Sequence, residues 1–120
     1  MLHIVKKSPY ESSAFSDAIN YMEQNDIMLL TEDGIYAAKK GGKFEGALKS
    51  LMQKNEVYCL VADVKARGIQ ESEIIENVKV IDYKGFVEKV TEHNPMTWSY
   101  FLKYKNNCWL FKQIILNIYE

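Results

Sequence analysis

The chain has 120 residues, a length that suits one domain and leaves no room for a second core. Hydrophobic residues make up 48% and charged residues 26%, so the composition is that of a globular protein and not of a disordered one. A formal net charge of −1 gives no bulk attraction to phosphate backbones, which argues against a stand-alone nucleic-acid binder.

The chain opens with Leu2 to Lys6, a branched, weakly alternating run that predicts a buried strand broken by Ser8-Pro9. It is too short for a signal-peptide core, and no window reaches the roughly 18 apolar residues of a membrane span, so the expected location is the cytoplasm. Ser12 and Ser13 are candidate helix caps. Beyond them Phe15, Ala18, Ile19 and Met22 fall at i, i+3, i+4 and i+7, the spacing of one helical face.

Ile27-Met28-Leu29-Leu30 is a continuous apolar run of strand length, as expected for a parallel strand buried on both faces. Glu32-Asp33-Gly34 reads as a polar turn in which Gly34 supplies a positive φ. A helical segment is expected from about Tyr36, interrupted at Gly41-Gly42 and resumed through Phe44, Ala47, Leu48 and Leu51. Val57 to Val61 predicts a third strand, and Val64 to Gly68 a short helical turn closed by its glycine. Glu71 to Glu76 is a short helix or loop, and Val78 to Ile81 a fourth strand. Tyr83 to His93 then places Phe86, Val87 and Val90 at helical spacing, with Pro95 ending the helix.

Strands alternating with helices predict an α/β three-layer sandwich around a mostly parallel sheet of four to five strands. The last segment differs in composition: it is aromatic and Lys/Asn-rich, then apolar from Cys108 to Tyr119. We therefore divide the chain into an α/β domain over 1–98 and an atypical extension over 99–120.

The two cysteines, Cys59 and Cys108, form no CxxC pair and no disulfide framework. His3 and His93 share no ligand spacing with them, so neither a metal nor another cofactor is expected. Cys59 lies inside an apolar strand, where a cysteine is ordinarily inert packing. Cys108 has Lys105 and Lys112 nearby, which favour a thiolate, but it stands beside Trp109 in the extension. His3 reads as a packed strand histidine. Ser8, Asp33, Arg67 and Asp82 stand at or just after strand ends, where open α/β sheets carry their working loops. They form either a cleft in which Arg67 faces an anion, or an ordinary set in which Arg67 makes an ion pair and Asp82 caps a helix. Tyr10, Tyr36, Tyr83 and Trp98 fall near loops or helix ends and are candidate interface anchors, with core-edge packing as the plainer alternative.

Several segments resemble one family in the same order along the chain. Leu2-His3-Ile4-Val5-Lys6-Lys7-Ser8-Pro9-Tyr10 is similar to the amino terminus of TusB/DsrH proteins. Glu32-Asp33-Gly34-Ile35-Tyr36-Ala37-Ala38 resembles their segment after the second strand. Val57-Tyr58 with Asp63 to Gly68, and Val80 to Val87 with His93 and Trp98, resemble the family's next two segments.

The resemblance covers residues 1–98 and implies a DsrE/DsrF/DsrH-like fold and a place in persulfide transfer. It implies a subunit without catalytic activity of its own in a sulfurtransferase complex, joined to TusC- and TusD-like (or DsrF- and DsrE-like) partners in a heterohexamer. The TusBCD-like complex serves 2-thiolation of the tRNA wobble uridine; the Dsr complex serves sulfur oxidation. Some DsrH-type members carry a cysteine in the first helix, where this chain has Ala18, and that favours the Tus-like role. Lys39, Lys40 and Lys43 form a solvated basic face, with direct contact to tRNA or an acidic partner as the sharper alternative. The other readings are a sulfurtransferase using its own thiol and a self-assembling α/β protein that binds a small ligand, a homo-oligomer when isolated.

Overall fold

The computed structural model describes residues 1–99 and is built on a five-stranded, all-parallel sheet. The strands are β1 (Leu2–Val5), β2 (Ile27–Leu30), β3 (Glu56–Leu60), β4 (Lys79–Ile81) and β5 (Pro95–Trp98), in spatial order β4-β3-β2-β1-β5. Every residue of β1 and β2 is buried, as the continuous apolar run of β2 requires of a strand covered on both sides, and His3 is the one polar residue among them. The register pairs Leu2 with Ile27 and Ile4 with Leu29, so alternate residues divide cleanly between two faces.

One face carries Val5, Met28, Leu30, Val57, Cys59, Met96 and Trp98. It is packed by Phe15 and Ala18 of α1 (Ala14–Tyr21), Leu48 of α2 (Glu45–Leu51) and Val64 of α3 (Val61–Ala66). The other carries Leu2, Ile4, Ile27, Leu29 and Tyr58, against which Phe86 and Val90 of α4 (Tyr83–Glu92) are packed. Right-handed crossovers account for this division. From β1 to β4 the chain steps outward in one direction, so its helices share a face. It then returns to the far side of β1, and the same handedness sends α4 across the opposite face. Among the described residues, no helix is long and apolar enough to cross a membrane.

The expected α/β sandwich and its first four strands are present. Four local expectations are corrected. Pro95 does not merely end the last helix: it opens β5, an edge strand paired with β1 from Leu2↔Pro95 to Val5↔Trp98. Proline is acceptable as the first residue of an edge strand, where a missing N–H disrupts least. Val61 starts α3 and does not belong to β3.

Gly34 is not needed for a positive φ. That conformation falls on Glu32 (φ 49°), and a 3-10 helix runs from Glu32 to Ala38, earlier than the spacing around Tyr36 predicts. Gly34 is needed because it lies against β1: an added Cβ would sit 2.1 Å from the carbonyl oxygen of Val5. Gly68 does take a positive φ (70°) where it closes α3.

His3 is fully buried and links three elements. The indole N–H of Trp98 donates to His3 Nδ1 at 3.2 Å, which fixes that nitrogen as the acceptor. The Nε2–H tautomer then donates to Asp26 Oδ2 at 3.0 Å. Tyr21 of α1 meets both the imidazole and the indole edge-on. Burial pushes the His3 pKa below its ordinary value, with the Asp26 carboxylate opposing. Geometry agrees: a proton on Nδ1 would face the indole N–H donor. Burial works against the Asp26 carboxylate too, yet the Glu23 N–H, His3 and the amino group of Met1 together hold its pKa low.

The folded state keeps His3 neutral, while the unfolded chain takes up a proton near pH 6.5. Stability is therefore full above that pH and falls below it, with a slope of up to about 1.4 kcal/mol per pH unit for one proton. The Asp26 contribution is lost only at lower pH, as the pH falls below the ordinary 3.8. Urea unfolding between pH 7.5 and 5.5 is expected to show the His3 slope, and Trp98→Phe, which removes the opposing N–H, is expected to flatten it. A flat wild-type profile contradicts this account of His3.

Candidate functional site

The carboxyl ends of the parallel strands gather the polar residues that come directly after each apolar run. Thr31 is the first residue after β2, and its backbone N–H donates to the Val5 carbonyl at 3.1 Å. Glu32 comes next in its left-handed conformation, and its N–H donates to Asp63 Oδ2 at 2.8 Å. Asp63 lies in the first turn of α3 and is thus the brace of that turn. Its other oxygen lies 3.7 Å from Arg67 Nη1, one helical turn on, and Arg67 Nε donates to Asp33 Oδ1 at 2.9 Å. Two carboxylates therefore take up the Arg67 guanidinium. Of the two readings of Arg67, the geometry has the ion pair.

Asp82 is the cap of α4: its Oδ1 accepts from the Gly85 N–H at 2.9 Å, satisfying one of the orphan donors of the first turn. Tyr83 is 71% exposed and stacks on Phe86. Ser8 is buried, and its hydroxyl accepts from the Tyr10 N–H at 3.2 Å, turning the chain away from β1. The exposed Tyr10 ring meets Phe44 edge-on, while its hydroxyl oxygen accepts from the Lys43 N–H at 3.2 Å. Tyr36 is half-buried against the first core face. Trp98, expected as an interface anchor, is instead wholly enclosed, and its indole serves the core.

The Cys59 thiol is not offered at the strand ends. Cys59 is fully buried on β3, and burial, helped by the charge of Glu71, pushes its pKa up to about 12. Such a thiol stays protonated and is not a nucleophile. Ala18 is also fully enclosed, so that position in α1 holds no exposed sulfur site. Cys108 lies outside the described residues. Of the basic run, Lys40 donates to the Ser72 carbonyl at 2.9 Å and Lys39 lies 3.8 Å from Glu73, so both tie down the turn before β4.

The candidates thus separate. Asp63 and Tyr83 line a groove of about 430 Å³ walled by Ile4, Leu60, Phe86 and Val90, and Asp63 ties it to the Arg67–Asp33 pair. Asp82 faces a different depression with Val61 and Glu71, and Ser8 and Tyr10 belong to the opposite, α2 side. Sequence reasoning missed Thr31, which lines the groove, is buried, and has a hydroxyl without a hydrogen-bond partner among the described residues. Its one sequence signal is position: it is the first polar residue after the apolar run of β2.

A parallel five-stranded α/β sandwich defines a class of small domain shared by solved proteins of low sequence similarity. The ychN protein of Escherichia coli superposes with a TM-score of 0.67 at 16% identity, covering 82% of this chain and 97% of that one. A protein of unknown function from Methanobacterium thermoautotrophicum gives 0.62 at 15% identity, covering 80% and 95%. These likenesses show the fold. Residues 7–96 match the family described as DsrH like protein. Protein TusB of Pectobacterium parmentieri is 36% identical over 99 residues, which span 82% of this chain and the whole of that protein. Protein TusB of Escherichia coli K12 is 32% identical over the same shares. The chain belongs to the TusB/DsrH family.

Proposed function

We propose that the chain is a non-catalytic subunit of a TusBCD-like sulfur-relay complex, supporting persulfide transfer by its partners toward 2-thiolation of the tRNA wobble uridine. Residues 1–98 form the relay domain on this reading, and 99–120 are an extension of it. Membership of the TusB/DsrH family supports a sulfur-relay role. The observation that carries the supporting role is the state of Cys59. A carrier thiol must be exposed and readily ionised, whereas this one is enclosed on a core strand with its pKa raised to about 12. Alanine at position 18 favours the Tus-like reading over a DsrH-like place in sulfur oxidation.

Exposed Tyr10 and Tyr83 are the aromatic anchors we assign to partner contact, since each offers a large apolar ring with a polar tip. Co-expression with TusC- and TusD-like subunits tests the reading. The expected result is co-purification of all three in a heterohexamer, weakened by Tyr10→Ala or Tyr83→Ala without loss of the monomer fold. A chain that stays alone in the presence of both partners would overturn it.

A further inference from the structure

We propose that the groove between α4 and the carboxyl ends of β1, β2 and β3 binds a small uncharged molecule with an apolar body and an amide-like head, one that both donates and accepts hydrogen bonds. The sheet continues one residue beyond its apolar runs: the Lys6 N–H donates to the Trp98 carbonyl at 3.2 Å and the Thr31 N–H to the Val5 carbonyl at 3.1 Å. Strand alternation then sets Lys6 next to Ile4 and Thr31 next to Leu29 on the second face. In the row below them, Ile4 pairs with Thr97 of β5. The groove of about 430 Å³ spans this boundary, with Ile4, Leu60, Phe86 and Val90 as apolar walls and Lys6, Thr31 and Thr97 in its polar part. That is the size and make-up of a small-molecule site, apolar around a few placed polar groups.

Thr31 is the residue that points to a ligand. His3, Ser8, Ser12 and Thr31 are the buried polar side chains among the described residues. The first three are satisfied within the chain: His3 by Trp98 and Asp26, Ser8 by the Tyr10 N–H, and Ser12 by the Ala14 N–H. Thr31 is 5% exposed, and its hydroxyl has no hydrogen-bond partner among the described residues. Buried hydroxyls are ordinarily hydrogen-bonded, so an occupant of the groove is the natural partner. The charges at the groove select an uncharged head. Its charged lining residues are Lys6, Glu32 and Asp63. Asp63 is already engaged, with one oxygen on the Glu32 N–H and the other 3.7 Å from Arg67, which also holds the half-exposed Asp33. What remains is one ammonium and one carboxylate. An anionic head drawn to Lys6 meets Glu32, a cationic head drawn to Glu32 meets Lys6, and either loses hydration on entering. A neutral amide avoids both penalties and offers the Thr31 hydroxyl a donor and an acceptor.

The site belongs to the chain by itself, so its test is independent of any relay partner. The full chain with isotope-labelled methyl groups is titrated with N-phenethylacetamide and followed by NMR. The expected result is saturable shifts of the Ile4, Thr31, Leu60 and Val90 methyls with a Kd below about 1 mM, an ordinary affinity for a ligand of about twelve non-hydrogen atoms. Phenylpropionate and phenethylammonium keep the ring and carry a charged head; each is expected to bind at least about fivefold more weakly. Thr31→Val keeps the shape and removes the hydroxyl. It is expected to leave Tm unchanged or raise it and to weaken the amide about five- to tenfold, the loss of one hydrogen bond. Val90→Lys, at a half-buried wall position that gives the stem a path to solvent, is expected to weaken all three probes. The spectrum shows whether each variant is folded, and where one is not the other decides. No shifts up to about 10 mM amide, shifts centred away from the groove, tighter binding of either charged probe, or an affinity unmoved by the folded variants would each overturn the proposal. So would the same methyl shifts on concentrating the protein alone, which would make a second copy the occupant.

Discussion

Replacing Trp98 with alanine is expected to destabilise the protein by about 3–5 kcal/mol, the range for removing a large aromatic from a core. The indole is fully buried at the end of the edge strand β5, in register with Val5. It contacts Tyr21 edge-on and is the donor that satisfies His3 Nδ1. Truncation would open a cavity and leave a buried nitrogen unpaired at the same time. For a domain of this size each kcal/mol is worth about 4–8 °C in Tm, so thermal unfolding followed by circular dichroism should show a drop of more than about 10 °C. Trp98→Phe should fall between, since it keeps most of the apolar contact and loses the N–H. Had Trp98 been an exposed partner anchor, alanine would weaken assembly and leave the monomer's Tm nearly unchanged; that outcome would contradict its place in the core.

Gly34→Ala is expected to cost about 3 kcal/mol, at the upper end for adding one methyl group to a packed site. The new Cβ would fall 2.1 Å from the Val5 carbonyl oxygen, a backbone atom with no rotamer into which it can move. That carbonyl accepts from the Thr31 N–H, so displacing it disturbs the point where β1 and β2 end together. Gly46→Ala is the control. It lies on α2 with nothing within 4 Å of the added Cβ, and alanine there should be neutral or stabilise by up to about 1 kcal/mol through helix propensity. Equal urea midpoints for the two variants would mean that Gly34 does not approach β1 as described.

These two residues also mark how far the sequence could be read. β1 to β4 were legible because each is a compact branched or apolar run bounded by polar turns. β5 was not: four residues opening with proline look like the end of the preceding helix, and the strand exists because β1 offers a free edge beside it. The need for glycine at position 34 was visible, but its cause was not, since the clash is with a strand nearly thirty residues earlier. At the strand ends, the Asp82 cap could be read from local order, because a capping bond reaches only three residues on. The Arg67–Asp33 pair spans 34 residues and required the fold to bring it together. That the Thr31 hydroxyl finds no partner among the described residues is likewise a property of packing. The burial of Cys59 was legible from its apolar neighbours, and it is the link from this fold to a supporting role.

The most direct test of that role is sulfur transfer through the reconstituted complex. Radiolabelled sulfur would be passed from a persulfide donor through TusC- and TusD-like partners assembled with this chain carrying Cys59→Val and Cys108→Ser. Transfer to the downstream acceptor at the wild-type rate is the expected result, because the chain's own thiols take no part. Loss of transfer from an intact complex would show that this subunit carries the sulfur itself and would contradict the account.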